Sequence, residues 1–135
     1  KAATPPAVST KPAQAAAKPV KAMTAEEKKL TVEGALRDWA AAWSQQNASA
    51  YLSFYGTNFA APGGDRGAWE EQRRDRVTKP EFIKVELGKI SVDLDGNLAK
   101  ARFSELYESN VLKGTYKKYL VLELEEGAWK IVSEK

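Results

Sequence analysis

The side chains that could do chemistry in this sequence are carboxylates, phenols and cations. The chain has no His and no Cys. That excludes Cys/His zinc sites, Ser-His and Cys-His nucleophile pairs, and imidazole acid–base chemistry. Glu105 is the sharpest candidate. Positions 101, 103, 105 and 107 share one face of a strand, and Glu105 interrupts the otherwise apolar or aromatic row of Ala101, Phe103 and Tyr107. A carboxylate placed there needs a partner, or its pKa rises. Arg73, one helical turn from Trp69, is the expected partner. Glu105 then reads as a polar anchor at a pocket floor, as a structural ion pair, or as a strand end reaching solvent.

A second set is aromatic. Trp43, Tyr51, Tyr55, Tyr107 and Tyr119 could line a pocket that stacks an apolar or sugar-like ligand, with phenol hydroxyls setting its orientation. Plain core packing explains the same residues, and it is the preferred reading for Trp39 and Phe103. The run Arg73-Arg74-Asp75-Arg76 could hold a carboxylate or phosphate, or be a solvated helix face. Asn47-Ala48-Ser49 fits a glycosylation sequon, but a helix-capping Asn explains it without one. No metal site and no cofactor is expected.

These residues need elements to carry them. Thr24-Ala25-Glu26-Glu27 has the capping-box pattern, and Val32, Leu36, Trp39, Ala40 and Trp43 recur at helical spacing, which predicts a helix over about 25–45. Gln45-Gln46-Asn47 breaks it. Asn47 caps a short second helix with Ala50, Tyr51, Phe54 and Tyr55 inward, and Gly56 is expected to end it in a left-handed conformation. Asp65 caps a third helix running to about Thr78, with Trp69, Arg73, Arg76 and Val77 inward, and Pro80 stops it. Strands follow. Ile83, Val85 and Leu87 alternate on odd numbers, whereas Ile90, Val92 and Leu94 alternate on even ones. The phase flip at Gly88-Lys89 predicts a bulge, with Gly88 supplying unusual backbone angles. Asp95-Gly96 predicts a hairpin turn. Strands over about 98–109 and 115–125 come next, then a turn at Glu126-Gly127 and a last strand with Trp129 and Ile131. Three helices before a four-strand antiparallel meander make an α+β order.

The first 23 residues are different. They hold eight Ala, four Pro and four Lys, with no acid and no aromatic residue. Such a segment buries too little apolar surface to offset its ordering entropy, so 1–23 reads as a disordered linker and 24–135 as the domain. The chain carries a net +3, all of it from the linker lysines. The domain therefore lacks the basic face that nucleic acid would want, and no nucleic-acid partner is expected. No apolar run is long enough to span a membrane. The sequence reads as the C-terminal piece of a longer or processed protein.

The segment from Ala40 to Leu52, with Trp43, Asn47 and Tyr51, resembles the first-helix signature of the nuclear transport factor 2-like (SnoaL-like) superfamily. Asn47 stands where that family usually carries Asp. Gly127-Ala128-Trp129-Lys130-Ile131 resembles its last strand. The resemblance covers about 24–135 and implies a cone-shaped fold: three N-terminal helices packed on a strongly curved, mainly antiparallel sheet, with a pocket between. Trp69 to Arg74, followed by Pro80, is similar to the C-terminal accessory domain of bacterial L,D-transpeptidase-like and L,D-carboxypeptidase-like cell-shape proteins and of tetratricopeptide-repeat envelope proteins. That implies a non-catalytic binding or interaction module with a small-molecule or peptidoglycan-like ligand, a homodimer through the sheet, and a periplasmic setting, with the cytoplasm left open. Steroid-isomerase and SnoaL-type enzymes of the superfamily imply the alternative, an isomerase or hydratase in which Glu105 is the base and Tyr107 or Tyr51 the acid.

The linker reading is checked by backbone NMR. Order parameters below about 0.6 are expected over residues 1–23, and values above roughly 0.8 there would overturn it.

Overall fold

The computed structural model describes residues 19–135. The linker expectation for residues 1–18 lies outside the described residues. Val20–Ala22 form a 3₁₀ turn and Val20 packs against the core, so regular structure begins ahead of Thr24.

Helix α1 spans Ala25–Ser44. Its capping box is formed: the Glu27 N–H donates to Thr24 Oγ1 at 3.2 Å, and the Thr24 N–H donates to Glu27 Oε1 at 2.9 Å. Val32, Leu36, Trp39, Ala40 and Trp43 are all buried, which is the stripe that their spacing sets out. Gln46 turns the chain with a positive φ of 58°. Its side-chain amide also donates to the carbonyls of Val77 and Pro80, at 3.1 and 2.6 Å. One side chain thus ties the end of α1 to the end of the third helix.

Helix α2 spans Ala48–Ser53, with Asn47 Oδ1 accepting from the Ala50 N–H. Helix α3 spans Arg66–Thr78, with Asp65 accepting from the Ala68 N–H. Gly56 does not end α2 in a left-handed conformation; its φ is not positive. The glycine is there for closeness. A Cβ at Gly56 would lie 2.8 Å from Lys130 Cβ and 2.9 Å from Glu125 Oε1. The backbone from Phe54 to Ala60 runs against the last strand: the Ile131 N–H donates to Phe54 O, and Gly56 N–H donates back to Ile131 O.

Five strands follow: β1 (Ile83–Leu87), β2 (Ser91–Asp95), β3 (Leu98–Ser109), β4 (Lys113–Glu125) and β5 (Ala128–Glu134). All neighbours are antiparallel. Strands β1 and β2 both pair with β3 and are two halves of one bent strand. Leu87 pairs with Glu105 and Ser91 with Arg102, so residues 88–90 oppose only 103–104. That is the inserted residue which the phase flip requires. Gly88 has no positive φ, contrary to expectation; its N–H simply continues the ladder to Ser104 O at 2.8 Å. The hairpin loop after β2 is Gly96-Asn97, with φ of 60° at Gly96, one residue later than Asp95-Gly96. At Glu126-Gly127 both loop residues have positive φ, 51° and 83°, as a type I′ turn demands.

A second irregularity lies between β4 and β5. Leu122 pairs with Ile131, but Val121 pairs with Ser133, so Val132 is an extra residue. It reverses the inside–outside alternation of β5. Trp129 and Ile131 face the helices, and after the bulge so does Glu134, opposite Leu120.

The core lies between the helices and the concave face of this sheet. Trp129 is buried there, and its indole N–H donates to Thr31 Oγ1 at 2.9 Å. Truncation to Trp129→Ala is expected to lower stability by about 3–5 kcal/mol, the range for large-to-small changes in cores. A urea midpoint equal to wild type would contradict this placement.

Candidate functional site

The inner face of the fold contains a closed ring of polar side chains. Arg73 Nη1 donates to the Tyr51 hydroxyl at 2.6 Å. The Tyr51 and Tyr55 hydroxyls lie 3.1 Å apart, and the Tyr55 hydroxyl donates to Glu134 Oε1 at 3.0 Å. Glu134 Oε1 also pairs with Arg73 Nη1 at 3.3 Å. Each phenol has one proton. With the Tyr55 proton on Glu134, the Tyr51 proton must point to Tyr55, and both hydroxyls accept one N–H donor: Arg73 for Tyr51, and Trp39 Nε1 at 3.3 Å for Tyr55. The ring is directed and both hydroxyls are fully used. Arg73 is also stacked over Trp69 at 5.1 Å.

The ionisation states follow from burial and charge. Burial raises Tyr51 and takes Tyr55 well above the usual phenol value, so both stay protonated. Burial lowers Arg73, but Tyr51, Glu134 and Tyr55 outweigh it and hold the guanidinium charged.

Beside the ring opens a cavity of about 540 Å³. Its floor is Glu105 and Glu134. One wall is aromatic, with Trp43, Tyr107 and Tyr116. The end of α3 contributes Arg73, Asp75 and Arg76, then Lys79 and Pro80; β4 contributes Lys118; the β3–β4 hairpin forms a lip of Asn110, Val111 and Leu112. Trp43 and Tyr107 are in ring contact at 5.4 Å. Tyr116 pairs across the ladder with Glu105. Glu105 is only 2% exposed, and its Oε1 has no hydrogen-bond partner. Burial raises its pKa, against the lowering pull of Lys118; Glu134 raises it further, and Arg73 and Arg76 lower it.

Four of the seven site residues proposed from the sequence meet in this cavity: Trp43, Arg73, Glu105 and Tyr107. Three do not. Tyr51 and Tyr55 are buried beneath it, with their hydroxyls spent in the ring. Tyr119 lies on the other face of the sheet, under the Arg102 guanidinium at 4.9 Å, because Leu120 and Leu122 take the inward positions of β4. Nor is Arg73 the partner of Glu105; it is committed to Tyr51 and Glu134. Arg76 is not packed inward with Trp69 and Val77 but stands at the cavity wall.

The sequence reading missed Glu134, Lys118 and Tyr116. Lys118 and Tyr116 carried a signal, since both keep phase with Leu120 and Leu122. Glu134 carried none, because simple alternation from Ile131 points it outward. Among the described residues no three His, Cys, Asp or Glu side chains gather as a metal site, and no helix is long and apolar enough to cross a membrane.

Solved structures share this fold. Bd1075 of Bdellovibrio bacteriovorus superposes with a TM-score of 0.73 at 23% identity, over 82% of this chain and 40% of that one. The helical cell shape determining protein Pgp2 of Campylobacter jejuni gives 0.73 at 18%, over 83% and 41%. A suspected dehydratase of the NTF2-like family from Streptomyces avermitilis gives 0.72 at 16%, over 82% and 95%. The chain thus spans about two fifths of the first two proteins and nearly all of the third. No curated protein matches the sequence. The profile of the family described as the Cds6 C-terminal NTF2-like domain matches residues 31–135, and with its cone of helices on a curved sheet the chain belongs to that family.

Proposed function

We propose that this domain is a non-catalytic binding module of a larger bacterial protein, and that its ligand enters the cavity over Glu105. One observation carries the reading. Tyr51, one of the two phenols considered as an acid, is locked with Tyr55 in a structural ring, while Glu105 keeps a buried oxygen free beside an aromatic wall. Proton transfer needs at least two convergent groups with room for substrate. Recognition needs only shape, apolar surface and a few placed polar atoms, and about 540 Å³ suits a small ligand.

A larger parent fits the two-fifths coverage of Bd1075 and Pgp2. The description of Pgp2 as a cell shape determining protein supports an envelope setting and a peptidoglycan-like ligand. We place the linker read over residues 1–23 ahead of this module, ending where the Val20–Ala22 turn packs against the core.

Glu105 also supports a second reading. A carboxyl with a raised pKa in a cleft is what a general base would be, with Tyr107 on the same strand face as its acid. The experiment that separates the two is titration of soluble cell-wall fragments followed by NMR and by product analysis. The module reading expects resonances of Trp43, Arg76 and Tyr107 to shift with no product formed. The enzyme reading expects turnover that falls roughly 10²–10⁴-fold in Glu105→Gln. Fragments that leave the cavity resonances unmoved would end both.

Glu105 also sets a pH dependence. Its folded-state pKa lies above the ordinary glutamic value of 4.5, so the native state holds the proton more tightly than the unfolded chain. The stability this gives is complete below the ordinary value and is lost as pH rises through the raised one. Glu105→Gln cannot ionise. Relative to wild type it should gain stability near pH 7, and the gain should vanish near pH 4. Urea midpoints of both proteins across that range check this; a difference that does not change with pH would contradict it.

A further inference from the structure

Most charges around the cavity are already paired. Arg73 and Lys118 both lie against Glu134, at 3.3 and 3.9 Å. Lys79 pairs with Asp75 at 3.5 Å. Two are not. Glu105 and Arg76 both line the space, yet among the described residues neither has an ion-pair or hydrogen-bond partner, and they do not pair with each other.

Glu105 is the more demanding of the two. A buried carboxyl oxygen without a donor loses its water and gains nothing in return, which costs on the order of 1–3 kcal/mol or more. Lys118 eases its charge, but no neighbour gives it a hydrogen bond. Tyr116 sits opposite on β4 and Tyr107 two positions along β3, but neither donates to it. Glu105 is among the residues that line the cavity. Arg76 stands on another element, exposed at the last turn of α3 where water solvates it in the absence of a ligand, and a guanidinium offers a planar fork suited to a carboxylate. The apolar and aromatic surfaces of Trp43, Tyr107 and Leu112 lie around the same space.

Building on the reading of the cavity as a ligand site, we infer that the ligand is a small zwitterion, a peptide-like compound whose ammonium or N–H donors meet Glu105 and whose carboxylate meets Arg76. The aromatic wall covers the carbon skeleton between the two ends. A neutral sugar would satisfy Glu105 through a hydroxyl but would leave Arg76 unpaired. A simple anion would use Arg76 and be repelled by Glu105 and Glu134. Only a ligand with both groups uses both unpaired side chains.

Trialanine is a suitable probe, used free, N-acetylated, C-amidated, and blocked at both ends, with N-acetylglucosamine as the neutral control. Affinity at pH 7 is read by calorimetry and by NMR shifts of Trp43 and Tyr107. Free trialanine is expected to bind, and blocking either end to weaken it at least about tenfold, one well-made charged contact. Glu105→Gln should bind weakly but become insensitive to N-acetylation, and Arg76→Gln insensitive to C-amidation. This crossed pattern separates direct contact from a general loss of the fold. Affinities that ignore both blocks, or N-acetylglucosamine binding in place of trialanine, would overturn the zwitterion while leaving the cavity a ligand site. If no probe moves the Trp43 and Tyr107 resonances and cell-wall fragments do not either, the site reading falls and the inference with it.

Discussion

The fold depends on one buried cation. Arg73 projects from the middle of α3 to the wall of the cavity with its side chain largely buried, where an unpaired guanidinium would be costly. Its partners come from two other elements, Tyr51 on α2 and Glu134 at the end of β5. Tyr55, just beyond α2, closes the circuit. The charge can be buried only when α2, α3 and the last strand are all in place. Removing one member would strand the others, which is why breaking such networks costs far more than their net worth. The ring therefore acts as a register pin for the helical layer. The packing of Trp69 against Tyr55 and Phe59 and the Gln46 bridge to Val77 and Pro80 hold α3 at its two ends.

The ring can close only on a curved sheet, and the curvature comes from two inserted residues. One lies in residues 88–90 and lets β1 and β2 bend around the helices. The other is Val132 on β5. Bulges of this kind add twist and re-aim the side chains that follow. The bulge at Val132 does so in a specific way: were β5 regular through Val132, Ser133 would face inward and Glu134 would face solvent. The carboxylate that neutralises Arg73 is thus delivered by a backbone irregularity. The close approach of Gly56 to β5 serves the same region, bringing the Phe54–Ala60 segment alongside Ile131.

These details set what the sequence could reveal. Elements fixed by local chemistry were legible: the Thr24 capping box, the Asn47 and Asp65 caps, the alternations of β3 and β5 up to Ile131, and the phase flip at Gly88. The family resemblance carried the cone fold and the three-helix order. Arg73 and Glu105 were legible as buried charges, because each breaks an apolar row. Their partners were not, since pairing is decided by long-range geometry. Arg73 meets Glu134 across 61 positions of sequence. Tyr119 was misplaced for a different reason. Its aromatic character outweighed its phase, although Leu120 and Leu122 already held the inward positions. Gly56 was misread because a glycine after a helix suggests a left-handed cap, whereas here it makes room for Lys130 and Glu125.

Glu105 and Glu134 are both buried carboxylates on the concave face, and the contrast between them is instructive. Glu134 has a phenol, a guanidinium and an ammonium group around it, and the architecture needs its charge. Glu105 has no comparable role. It binds no helix and closes no ring; each carboxylate keeps one oxygen without a donor, but Glu105 accepts no hydrogen bond at all. An apolar residue opposite Tyr116 would pack there at no electrostatic cost. Places where a sequence breaks its own local rules without structural gain are where function is expected. The ring beside it explains why such a residue is tolerable. By fixing α3 against α2 and β5, it holds the cavity open over Glu105 instead of letting the helices collapse onto it. The stability lost at one carboxylate is supported by the network built around the other.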